Sequence, residues 1–68
     1  MSQQDVFKIL KDLGGEATTK QIREMAKKRY PYSTLYSFVT NRLRKLEKRG
    51  YVKQDRTKKT WKIVKELK

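Results

Sequence analysis

The chain has 68 residues, 35% hydrophobic and 38% charged, and its 19 Lys/Arg against seven Asp/Glu give a net charge of +12. That length holds one domain with a small core, and without Cys or His the chain can build neither a disulfide nor the usual zinc ligand set. No apolar run is long enough to span a membrane, and MSQQDVFKIL lacks the basic start and long apolar stretch of a signal peptide, so a cytoplasmic location is expected.

Val6, Ile9, Leu10 and Leu13 recur at helical spacing, with Phe7 on the flank of their stripe. Asp5 favours the start of this helix and Gly14-Gly15 stops it, which predicts a first helix over 3–13. Glu16-Ala17-Thr18 is long enough only for a loop or a short edge strand, a third strand near 16–18. Thr19 is then the expected N-cap of a second helix over 19–28, whose apolar stripe is Ile22, Met25 and Ala26. Lys27-Lys28-Arg29 suits a helix C-terminus, where the dipole favours cations, and Pro31 ends the segment.

Leu35, Phe38, Val39, Leu43 and Leu46 carry the third and longest helix, expected over 33–49 with Ser33 as its cap and Gly50 as its stop. A start nearer Tyr36 fits the same pattern. After Gly50 the period changes to two. Residues 51–54 and 60–64 read as strands of a hairpin around the basic loop 55–59, and 65–68 read as a frayed tail.

Charge divides the chain. Residues 1–26 carry four Lys/Arg and four acids, whereas residues 27–68 carry fifteen Lys/Arg against Glu47, Asp55 and Glu66. Like charges repel in the compact state, so a one-sided field of this size points to a polyanionic partner, commonly nucleic acid.

The order helix, helix, turn, long helix, Gly, strand, basic loop, strand resembles the winged helix-turn-helix superfamily, of the small archaeal and bacterial regulator type. The resemblance is densest in Asn41-Arg42-Leu43-Arg44-Lys45-Leu46-Glu47-Lys48-Arg49-Gly50-Tyr51-Val52. This stretch is similar to the family's end of recognition helix and first wing strand. Thr18-Thr19-Lys20-Gln21-Ile22 is similar to the entry to its second helix. Tyr30-Pro31-Tyr32-Ser33 departs from the family's tight turn between the second and third helices by being longer and stiffer. The resemblance implies an α+β fold of three helices followed by a two-stranded antiparallel wing, and it implies binding to double-stranded DNA.

On that reading the third helix lies in the major groove. Tyr36, Ser37, Thr40, Asn41 and Arg44 are the candidate base-reading residues: Asn suits a bidentate bond to adenine, and Arg a bond to guanine. Lys27, Lys28, Arg29, Lys45, Lys48, Arg49, Arg56, Lys58 and Lys59 are candidates for the DNA backbone, the last three at the wing tip. Arg42, beside the apolar stripe, is expected to lay its stem on the core. Tyr30, Tyr32 and Tyr36 could stack on bases, but packing under the second and third helices is the preferred reading, and Trp61 with Ile63 is expected on the core face of its strand. Phe7, on the flank of a near-neutral helix, would suit a homodimer contact through the first helix.

No constellation marks an enzyme. Gly14-Gly15 lacks the spacing of a phosphate loop, and the scattered acids form no pair set apart for acid–base work, several of them (Glu47 among them) having basic neighbours to pair with. No cofactor or metal is expected. The principal expectation is a transcriptional regulator associated with the nucleoid. A low-specificity chromatin or repeat-DNA binder, a protein-interaction winged helix within a larger complex and an RNA binder are the alternatives.

Overall fold

The computed structural model describes residues 3–31 and 38–66. In chain order these form helix α1 (Gln3–Asp12), strand β1 (Glu16–Thr18), helix α2 (Thr19–Arg29), helix α3 (Val39–Lys48), and strands β2 (Val52–Asp55) and β3 (Thr60–Ile63). The result is an α+β arrangement of three helices and one antiparallel sheet of order β1-β3-β2. Val6, Ile9 and Leu10 of α1, Ile22 and Ala26 of α2, and Val39, Leu43 and Leu46 of α3 meet Ala17, Val52 and Trp61 from the sheet in one core. Among the described residues no polar or charged side chain is buried with them.

α1 is the central helix, touching α2, α3 and the sheet. That explains a correction to its expected edge. Phe7 is only 5% exposed and belongs to the core, because partners on several sides widen the buried face beyond the i, i+3, i+4, i+7 stripe. α1 then ends where Gly14, at φ +97°, takes the left-handed conformation. The Gly14 and Gly15 amides donate to the Lys11 and Leu10 carbonyls, both at 3.0 Å, which satisfies the helix's last acceptors.

β1 is a strand, as one of the two readings of 16–18 had it. Its register pairs Ala17 with Trp61 and Thr18 with Thr60. The N-cap of α2 is Thr18 rather than Thr19. Thr18 Oγ1 accepts the Gln21 amide at 3.1 Å, and Gln21 Oε1 accepts the Thr18 amide at 2.8 Å, a reciprocal capping box. The Thr19 hydroxyl is engaged elsewhere, accepting the Trp61 Nε1–H at 2.9 Å. This bond lets the Trp61 ring sit in the core at 2% exposure with its one polar atom satisfied.

α3 starts at Val39, later than expected. Phe38 precedes it at φ −105° and ψ 10° and makes no side-chain cap bond. Phe38, in a 3₁₀ turn at the entry to α3, is 48% exposed rather than buried in the stripe. Ser33, Leu35, Tyr36 and Ser37, on which the earlier start rested, lie outside the described residues, as does Tyr32. Tyr30 packs partly buried against the core, as the packing reading had it.

At the other end of α3, Arg49 is the cap rather than a helical residue. Gly50 at φ +86° lets its own amide reach Glu47 O and the Tyr51 amide reach Leu46 O, both at 3.0 Å. The chain turns there directly into β2, one residue later than expected. β2 and β3 pair from Val52↔Ile63 to Asp55↔Thr60 around a four-residue loop, 56–59. Residues 65 and 66 are tied down rather than frayed: the Lys65 amide donates to Tyr51 O at 3.2 Å, and Glu66 forms an ion pair with Lys11.

Candidate nucleic-acid interface

α3 buries Val39, Leu43 and Leu46 completely, so its opposite face is the one left to solvent. Asn41, Lys45 and Lys48 are all exposed and follow one another at spacings of four and three, a single stripe along the helix. Arg44, three residues after Asn41, is exposed beside that stripe, and Arg49 is exposed just past its end. Thr40 is half-buried, at the edge of the face. Of the five candidate base-reading residues, then, Asn41 and Arg44 are exposed, Thr40 borders them, and Tyr36 and Ser37 lie outside the described residues.

Arg42 is partly buried, with its Nε enclosed and no hydrogen-bond partner for that atom among the described residues.

The hairpin tip carries Arg56, Lys58 and Lys59, all exposed. Asp55 shapes it: its Oδ1 accepts the Thr57 amide at 2.9 Å and the Lys58 amide at 3.1 Å. The Lys58 amide bond is the main reason that the Asp55 carboxyl lies below its ordinary pKa. Burial works the other way, while the Thr57 amide and the Lys58 and Lys62 charges add to the lowering. Lys59 closes the loop at φ +57°, a conformation uncommon for a residue with a side chain.

A side-chain hydrogen bond joins the hairpin to α3 beyond their shared core. Glu47 Oε2 accepts the Gln54 amide of β2 at 2.9 Å. The sequence suggests a Lys or Arg partner for Glu47, but neither ion pair among the described residues includes it. With the Gly50 turn, this bond fixes the exposed face of α3 relative to the basic hairpin.

The cations of α2 divide. Lys27, Lys28 and Arg29 are all exposed in its last turn. Arg29 Nη2 is 2.7 Å from Asp12 Oδ2 and so braces α2 against the end of α1; as a backbone contact it would first have to leave that partner. Lys28 lines a shallow depression with Leu13, Gln21, Glu24 and Met25, also beside the end of α1.

Among the described residues no helix is long and apolar enough to cross a membrane, and no group of three or more His, Cys, Asp or Glu is placed to hold a metal ion. No protein-family model, curated protein or solved structure matches the chain.

Proposed function

We propose that the chain is a winged helix-turn-helix protein that binds double-stranded DNA, with α3 in the major groove and the hairpin tip against the backbone. The observation that carries this reading is the exposed face of α3. It sets Asn41 and Arg44, two side chains suited to base edges, among Lys45, Lys48 and Arg49, on a helix braced to a second cationic element. Supporting it are the element order, the β1-β3-β2 sheet and the concentration of all net charge in residues 27–68. The biological role that fits is transcriptional regulation, in the cytoplasm at the nucleoid.

Binding of a labelled duplex at several salt concentrations tests this. If about six to eight cations meet phosphates, log K against log salt should fall with a slope of about −5 to −7. A slope near zero removes the reading. Equal binding of duplex RNA would transfer it to RNA.

A second reading has one observation in its favour. Exposed base-reading candidates number two among the described residues, against many exposed cations. Such a balance also suits a chromatin or repeat-DNA binder of low specificity. The ratio of affinities for a selected and a random duplex separates the two, since a regulator reaches about 10³ or more and a chromatin binder stays near one.

A further inference from the structure

The outer face of the sheet carries cations that neither α3 nor the hairpin tip accounts for. Strand register sets Lys53 directly opposite Lys62, both exposed, on the face turned away from Val52 and Trp61. Side chains so opposed have Cβ atoms about 5 Å apart, and like charges there destabilise a sheet. Two acids lie near the pair and offset its charge only in part, Asp55 being close enough to Lys62 for that charge to help lower its carboxyl. Glu16, opposite Lys62 on β1, uses its Oε2 to accept the Thr60 hydroxyl at 2.7 Å. Asp55 is held by the amides of the hairpin loop. Neither lysine forms an ion pair among the described residues.

Beside the pair lies a depression of about 530 Å³ lined by Lys53, Gln54, Asp55, Arg56, Lys62 and Val64. Three cations face one carboxylate there, and Val64, 55% exposed, adds an apolar surface. An anion seated between Lys53 and Lys62 would turn their repulsion into two charge-assisted contacts.

We propose that Lys53, Lys62 and Arg56 form a second site for the sugar–phosphate backbone of duplex DNA, on the outer face of the hairpin. The phosphate bridges the two lysines, and the sugar rests against Val64. This proposal rests on the DNA-binding reading above, and its test separates the two.

The experiment compares the salt dependence of binding to one random-sequence duplex for four proteins: wild type, Lys53→Gln, Lys53→Gln/Lys62→Gln, and Lys8→Gln/Lys20→Gln. The last removes the same charge from exposed positions on α1 and α2. The slope should shrink by about 1 in the Lys53/Lys62 double variant, which loses the one bridged phosphate, and by less in the single variant, and should stay at the wild-type value in the Lys8/Lys20 control. The free Lys53/Lys62 variant should unfold close to the wild-type temperature, because the repulsion it removes is offset by the loss of Lys62 beside Glu16 and Asp55. A steep wild-type slope that the Lys53 and Lys62 changes leave intact, or that the Lys8/Lys20 control reduces equally, overturns this site alone. A wild-type slope near zero overturns DNA binding and this site together.

Discussion

Asn41 begins the exposed stripe on α3, two residues from the buried Leu43 and outside the core. Its replacement should therefore leave the fold alone and change only recognition. Asn41→Ala should cost about 1–3 kcal/mol on a preferred duplex and little on a random one, while thermal unfolding stays within about 0.5 kcal/mol of wild type. Competition binding with the two duplexes measures the difference, and equal losses on both would count against base reading at this position. The residue types on this face could be read from sequence, because amide, guanidinium and ammonium groups announce their chemistry wherever they stand. Exposure could not always be read. Phe38 continues the apolar rhythm of Val39, Leu43 and Leu46, yet it precedes the helix that would have turned it inward. Phe7 errs in the opposite direction, its fate decided by what packs against α1 rather than by its place on the helix.

Boundaries at the level of elements follow the strongest local signals. α1, α2 and the hairpin strands lie within one or two residues of where periodicity, glycine and proline put them, and both left-handed glycine stops occur where expected. The cap of α2 shows the limit. Thr18 and Thr19 are the same residue type in adjacent positions, and the choice between them is made by Trp61, 42 residues away, which takes one hydroxyl for its indole. No local window contains that partner. The two threonines should accordingly fail in different ways. Thr18→Ala removes the cap and should cost about 1 kcal/mol, with amide exchange quickening in the first turn of α2. Thr19→Val keeps that cap but leaves the buried indole N–H without its partner, a loss of about 1–3 kcal/mol that should be accompanied by a change in Trp61 fluorescence. If the two variants proved alike in exchange and fluorescence, this division of roles would be wrong. The Lys53↔Lys62 pair was hidden for a similar reason: cross-strand partners depend on register, and register depends on how many residues the hairpin loop takes.

Seen whole, the molecule measures 30 × 26 × 19 Å. At about 3.4 Å per base pair its longest dimension covers roughly nine base pairs. A single copy should protect a duplex segment of about that length from hydroxyl-radical cleavage, whereas two copies on a palindrome would protect about twice as much, with α3 helices about 34 Å apart. The burial of Phe7 favours the shorter footprint, because the α1 surface expected to join two copies has lost its aromatic anchor and presents Gln4, Lys8 and Lys11 instead. Another route to self-association is closed by the contact between Glu47 and Gln54. β2 is an edge strand, hydrogen-bonded on one side only, to β3. The Gln54 N–H points to the open side, where a strand from another molecule could add itself. A carboxylate already sits on that donor. A stray strand would have to displace a charged acceptor before it could lengthen the sheet, so the side chain that fixes the hairpin also guards the protein against aggregating through its own edge.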